Sequence, residues 1–224
     1  MPHRSTRGPA IAVGAILLAS CTSGAAGPGL PSGSASVNGS KIGSSSPVAL
    51  PPTVGTTSSE DALTARPLDL PKLGSGGPCP TAEGRTYRNS QFGGIALGHG
   101  PVLPLIAVAA AEDAAPAKEG ILRVRLYRDY PGRWLFVKTL WFAFPTYQGP
   151  ILLRGRQLDG NGPLAMGEPP TVDPQLPAGP TANGEGGFRE WPGGTWVKAA
   201  GCYGWQVDGL DFSYVIVFRA EVVA

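Results

Sequence analysis

The alternation of apolar and polar residues predicts strands along most of the chain after residue 78. Within 121–127, apolar residues alternate with charged ones, which is typical of a strand with one buried face and one solvent-facing side. Residues 134–144 and 151–158 form two more runs rich in aliphatic and aromatic side chains. Weaker strand candidates lie at 94–97 and 102–110, and a short strand is predicted at 196–199. Residues 109–118 are equally compatible with a short helix or a loop.

The clearest pair of strands lies at the C-terminus. Two runs rich in β-branched and aromatic residues, 203–207 and 213–220, flank the sequence Asp208-Gly-Leu-Asp211. Asp-Gly between such runs is a strong hairpin signal because glycine accepts positive φ without steric cost. The second run is apolar on both faces, which predicts an interior strand of a sandwich. Strands, turn signals and little helical periodicity together predict an all-β sandwich over residues 78–224.

The chain before this domain has a different composition. Residues 22–77 are dominated by Gly, Ser, Ala, Pro and Thr and contain no aromatic residue. Such a segment buries too little apolar surface to offset the entropy lost on ordering. We therefore predict a disordered tether over residues 21–77, with a reach of roughly 40 Å.

The N-terminus has the layout of a secretory signal peptide. Arg4 and Arg7 precede an apolar run at 11–19 that is too short to span a bilayer. The run ends in Leu18-Ala-Ser-Cys21, which resembles the lipobox of bacterial lipoproteins. The resemblance implies a signal peptide at 1–20, attachment of lipid to Cys21, and residence on the extracytoplasmic face of a bacterial membrane. The alternative is an ordinary secretory signal with a cysteine at its end.

Charge argues against a nucleic-acid partner. Of the 18 Lys and Arg residues, Arg4 and Arg7 would leave with the signal peptide, and the remaining 16 balance the 16 Asp and Glu residues. A nearly neutral mature chain lacks the basic footprint of a nucleic-acid-binding protein. The membrane, reached through lipid on Cys21, is the expected partner, with an envelope protein or a glycan as a further one.

Two cysteines remain once Cys21 is assigned to lipid. Cys79 and Cys202 would face an oxidising compartment, where a disulfide is the expected state. The alternative is a pair of separate free thiols.

Three segments of the C-terminal region resemble uncharacterised bacterial secreted or lipid-anchored domains of immunoglobulin-like fold. They are residues 149–160, 189–192 and 201–209, which contain turns, aromatic residues and one cysteine. The resemblance implies an immunoglobulin-like antiparallel β-sandwich and supplies no activity.

Little in the sequence points to catalysis or to a cofactor. His99 is the only histidine after the signal peptide, it lies in a loop composition, and no Gly-x-Ser-x-Gly motif is present. One histidine and two oxidised cysteines do not make a zinc site. Oxygen ligands at 159–161 and 208–211 suit calcium, but Asp, Asn and Gly are also what tight turns require. We therefore expect neither a metal nor a cofactor.

Four residues are candidate ligand contacts. Arg154 and Arg156 lie on one face of a predicted strand, where two guanidinium groups could hold a phosphate or carboxylate, or could simply be solvated. Trp191 and Trp196 stand beside Pro192-Gly-Gly after a long loop at 167–187, so partial exposure is as plausible for them as core packing.

These observations favour a lipid-anchored envelope protein whose domain binds or contributes structurally without catalysis. A glycan- or cell-wall-binding module is one alternative, and it requires coplanar exposed aromatic rings. A hydrolase is another, and it requires two carboxylates in one cleft. The candidate pairs are Glu185 with Glu190 and Asp208 with Asp211.

Overall fold

The computed structural model describes residues 59–74, 77–108 and 110–224. The lipobox, Cys21 and most of the predicted tether lie outside the described residues. The described chain contains eleven strands and two short helices. In chain order they are α1 (Ser59–Thr64), β1 (Gly84–Arg88), β2 (Gly93–Leu97), β3 (Val102–Ile106), α2 (Ala111–Lys118), β4 (Ile121–Tyr127), β5 (Trp134–Ala143), β6 (Ile151–Gln157), β7 (Leu164–Gly167), β8 (Gln175–Leu176), β9 (Arg189–Val197), β10 (Gly201–Asp208) and β11 (Ser213–Val222).

The strands form two layers that share one strand. In the first layer, β5 is the centre: β9 pairs with it along its full length, and β7 pairs with β9. On the other side of β5, β3 pairs with β5, β2 pairs with β3, and β1 pairs with β2. The second layer runs β11, β10, β6 and β8. Strand β4 belongs to both layers, because it pairs with β5 near its end and with β11 near its start.

Large aromatic side chains fill the space between the layers. The rings of Trp141 on β5 and Trp205 on β10 meet edge to face with centroids 5.4 Å apart, although their strands are not paired. Trp205 also stacks on Phe218 at 4.2 Å. Burying three such rings removes several hundred Å² of apolar surface from water, at about 150–250 Å² for each ring. The predicted all-β sandwich and the predicted C-terminal hairpin are both confirmed.

One strand pair departs from the expected antiparallel arrangement. Ile121–Val124 of β4 run parallel to Arg219–Val222 of β11. Beyond this point β4 turns into the other layer, where Arg125–Tyr127 pair antiparallel with Trp134–Phe136 of β5. Because β4 continues from one layer to the other, its hairpin with β5 also sets its direction beside β11.

The disulfide between Cys79 and Cys202 is confirmed, with Cα atoms 5.5 Å apart. It joins the segment that leads into β1 to the start of β10. Close by, the Ala82 amide donates a hydrogen bond to the Val217 carbonyl of β11 at 2.8 Å. The start of the sandwich is therefore held beside its last two strands.

Ordered contacts begin earlier in the chain than residue 78, where the sequence places the start of the domain. Residues 61–73, which we call the strap, lie against the second layer. Leu63 is buried, and the Arg66 guanidinium donates to the carbonyls of Phe212 and Leu210 at 2.7 and 2.5 Å. The Gln206 side chain accepts a hydrogen bond from the Asp69 amide at 2.6 Å. The strap thus covers part of β10, which composition alone does not indicate.

Candidate functional site

The structure gives Arg154 a structural role. Its guanidinium donates to the Asp208 carboxylate at 2.6 Å and to the carbonyl oxygens of Arg66 and Pro67 at 2.8 and 3.2 Å. The Asp208 side chain is fully buried and that of Arg154 is 11% exposed. Two alternatives were open for Arg154 and Arg156, a shared anion site and a solvated face. Arg154 fits neither, because its guanidinium is bonded to protein groups, and only Arg156 is exposed.

Trp196 is buried, so of the two alternatives left open for it, partial exposure and core packing, the structure shows core packing. Its ring lies 4.5 Å from that of Phe136 on the neighbouring strand, and its Nε1 donates to the Gly167 carbonyl at 2.6 Å. A side chain at Gly194 would collide with the Phe136 ring, so glycine there allows this packing. Trp191 is half-buried, with the Arg189 guanidinium 4.6 Å from its ring centroid.

The remaining rings do not form an exposed platform. Each Trp and Tyr in the described part of the chain is buried or half-buried. Stacking of a sugar on a flat protein surface needs accessible ring faces, so this arrangement offers little support for a carbohydrate-binding module.

Of the four residues in the two acidic pairs, Asp208 is bonded within the protein and Glu190 lines a surface groove. Asp208 is occupied by Arg154 and by the Gln206 side chain. Burial raises the pKa of the Glu190 carboxyl, and the negative charge of Glu185 raises it further. Glu190 Oε1 is buried without a hydrogen-bond partner in the described structure. Glu190 lines an open groove of about 530 Å³ together with Phe92, Leu140 and Pro192.

The turn residues considered for calcium have protein partners. Asp159 accepts hydrogen bonds from the Gln157 side chain and from the Cys202 amide, each at 2.9 Å. His99 is exposed on a loop. Within the ranges that the structure describes, no group of three or more His, Cys, Asp or Glu residues is placed to hold a metal.

A more enclosed cavity lies where β4 passes from one layer to the other, and we call it the β4 slot. Along one edge of β5, pairing with β3 ends at Thr139 and pairing with β4 begins at Phe136. The Lys138 carbonyl still accepts a hydrogen bond from the Ala107 amide at 3.1 Å, so Val137 is the residue that faces a gap between the two strands. Helix α2 packs against β4 beside this gap. The resulting cavity has a volume of about 270 Å³.

The β4 slot is lined mainly by apolar side chains from four elements and the loop after β3. Leu122 on β4 and Ala117 on α2 are 1% and 2% exposed. Leu126 is 45% exposed, because β4 has left the core by this point. The apolar lining residues are Ile106, Ala107, Val108, Ala117, Ile121, Leu122, Leu126, Phe136 and Val137, with Tyr127 beside them.

The charged residues of the slot are organised around one carboxylate. Asp113 of α2 accepts hydrogen bonds from Arg123 at 3.0 Å and from Arg125 at 3.5 Å, one on each oxygen. The arginine side chains are 29% and 44% exposed, whereas that of Asp113 is 12% exposed. Lys138 adds a third cation and lies 3.8 Å from Glu168 in a solvent-exposed pair, which contributes little attraction.

The sequence marks these arginines only as the polar side of an alternating strand. On β4 they alternate with Leu122 and Val124, which face the core. The alternation predicts that Arg123 and Arg125 point away from the core, but it does not indicate that α2 lies there with Asp113. No signal in the sequence would have located the slot, because the gap depends on where two other strands end.

The slot adjoins the groove that contains Glu190. Ala107 and Lys138 line both cavities, so they mark the boundary between them. A ligand larger than the slot therefore has an open, partly apolar surface into which it can extend.

Comparison with known proteins adds no assignment. No protein-family model matches the chain, and no curated protein or solved structure is significantly similar to it. Among the described residues, no helix is both long and apolar enough to cross a membrane.

Proposed function

We propose that this protein is a lipid-anchored, non-enzymatic binding module on the extracytoplasmic face of a bacterial membrane, and that the β4 slot receives an apolar part of its ligand. The slot itself carries the proposal. Sites for small molecules are usually concave and mostly apolar, with a few polar groups that orient the ligand. The β4 slot has this character, with Asp113, Arg123, Arg125 and Lys138 as its polar groups.

The composition of the slot favours binding over catalysis. Its lining contains no Ser, Cys or His side chain that would serve as a nucleophile or as a base near neutral pH. The one carboxylate, Asp113, is held by two arginines. Groups of this kind recognise a ligand by charge and shape.

The lipid anchor has a direct test. Replacing Cys21 with Ala removes the sulfur to which lipid would be attached, so the protein should no longer partition into detergent, or should keep its signal peptide. Phase separation and the mass of the N-terminal peptide measure this. The unchanged chain should carry acyl mass on Cys21, and an unmodified thiol in the membrane-extracted protein would contradict the assignment.

Binding in the slot is tested by filling its mouth. Ala107 is exposed and stands at the boundary with the groove, so Ala107→Trp should obstruct entry without disturbing the core. We expect the unchanged chain to bind the neutral apolar dye N-phenyl-1-naphthylamine, measured by its fluorescence. Binding should weaken about tenfold or more in Ala107→Trp, equivalent to about 1.4 kcal/mol.

Ala178→Trp is the matched control, since Ala178 is also exposed but lies away from the slot and the groove. It should bind the dye like the unchanged chain. Equal dye binding by all three proteins, or no binding by any, would refute the proposed role of the slot.

A further inference from the structure

We propose that the ligand of the β4 slot is an anionic amphiphile, with a single apolar chain inside the slot and a carboxylate or phosphate head at Arg123 and Arg125. This inference rests on the proposed function, because it identifies the ligand class of the same site. It depends on the charges at the slot, on their free hydrogen-bond donors and on the size of the cavity.

The charge of the lining is positive. Three cations, Arg123, Arg125 and Lys138, line the slot with one carboxylate, Asp113. Glu168, outside the lining, pairs with Lys138, so three cations and two carboxylates leave a difference of one positive charge. Both oxygens of Asp113 face an arginine, so its negative charge is already compensated. An anionic head is attracted to this site, whereas an amine meets like charge.

The two guanidinium groups retain donors for a ligand. A guanidinium has five N–H groups, and each of these arginines donates to Asp113 through a single nitrogen. Asp113 also brings both groups to the same carboxylate, so they are neighbours before any ligand arrives. Paired N–H groups of arginine fit the planar oxygens of a carboxylate and the oxygens of a phosphate.

The volume of the slot favours a ligand with a single alkyl chain. Its volume of about 270 Å³ is below the range of about 300–1,000 Å³ that is usual for drug-sized ligands. Apolar side chains form most of the lining, and the side chains of Arg125 and Lys138 are 44% and 52% exposed, so an anionic head placed there stays in contact with solvent. A linear chain with the head at the solvent side satisfies both conditions, and any additional length extends into the groove.

The test compares four head groups carried by alkyl chains of the same length. Decanoate, decyl phosphate, decanol and decylamine are titrated calorimetrically into the full chain carrying Cys21→Ala, which keeps every described residue and avoids detergent. We expect decanoate and decyl phosphate to bind about tenfold more tightly than decanol, and decylamine to bind most weakly. The preference for the anions should decrease as salt is raised.

A substitution then tests whether the preference for anionic heads depends on Arg125. Arg125→Met removes the more exposed guanidinium and leaves Arg123 on Asp113. It should weaken decanoate binding about fivefold to tenfold and leave decanol binding unchanged. Arg128→Met, an exposed arginine just beyond β4 and outside the slot, should change neither.

The outcomes separate this inference from the proposed function. If decanol binds as tightly as the anions, or if Arg125→Met has no effect on decanoate, the anionic head is refuted while an apolar ligand remains. If the dye binds in the slot and none of the decyl compounds does, the ligand class is refuted. If neither the dye nor any decyl compound binds, both the proposed role of the slot and the proposed ligand class are refuted.

Discussion

Loss of the Cys79–Cys202 disulfide is expected to lower the free energy of unfolding by about 4–5 kcal/mol. The bond closes a loop with a sequence separation of 123 residues, so its removal frees a large number of conformations in the unfolded chain. It also releases the segment before β1 from the start of β10. For a domain of this size, the melting temperature should fall by roughly 10 °C or more.

Thermal unfolding of the oxidised protein, the reduced protein and the Cys79→Ser, Cys202→Ser double variant measures this effect. The reduced protein and the double variant should agree within about 1 kcal/mol, since both lack the same constraint. Alkylation of both cysteines in the native, non-reduced protein would show that the bond does not form.

Replacement of Arg154 by Met should cost about 3–5 kcal/mol, because it leaves the Asp208 carboxylate buried without its cation. Asp208 is fully buried, and Arg154 also holds two carbonyls of the strap. Chemical denaturation should show the lower stability. Hydrogen exchange should show faster exchange of the Asp69 amide, which depends on the strap staying in place.

Two further variants isolate the charge effect. Arg156→Met lies two residues along the same strand with an exposed side chain, so it should change stability by less than about 0.5 kcal/mol. Adding Asp208→Asn to Arg154→Met should recover part of the loss, since no charge is then buried alone. If Arg154→Met were as stable as Arg156→Met, the ion pair would have no stabilising role.

The β4 slot follows from the division of β4 between two layers. If β4 did not pair with β5 after leaving β11, the end of β5 would have no neighbour on that edge. If β4 instead paired with β5 along its whole length, it would close the gap at Val137. Because β4 does each for half its length, a cavity remains at the bend. The feature that joins the layers thus also creates the candidate site.

Local pattern was sufficient for the strands themselves. The alternation at 121–127 predicted β4 with its exact bounds, and the Asp-Gly turn predicted the hairpin of β10 and β11. The count and position of the cysteines predicted the disulfide. Each of these depends on side-chain periodicity, turn chemistry or redox environment, which act over a few residues or through composition.

Burial was predicted less well for segments whose contacts are with residues far away in the sequence. Pro192-Gly-Gly before Trp196 is typical of a loop, yet the segment lies within β9, which spans Arg189–Val197. It is a strand because β5 pairs with it along its full length, and Trp196 is buried because Phe136 lies across Gly194. Residues 61–73 likewise lack a core pattern of their own and are ordered by contacts with β10 and the turn after it.

The arginines show most clearly what the sequence determined and what the tertiary structure decided. The pattern Arg-x-Arg occurs on β4 at Arg123 and Arg125 and on β6 at Arg154 and Arg156. Sequence alone determined that each pair would lie on one face of a strand, because side chains alternate along extended chain. Only the tertiary structure placed Asp208, 54 residues away, against Arg154, and α2 with its Asp113 beside the β4 pair. Whether a guanidinium stabilises the fold or remains available to a ligand depends on which distant carboxylate and how much solvent surround it, and chain folding alone determines both.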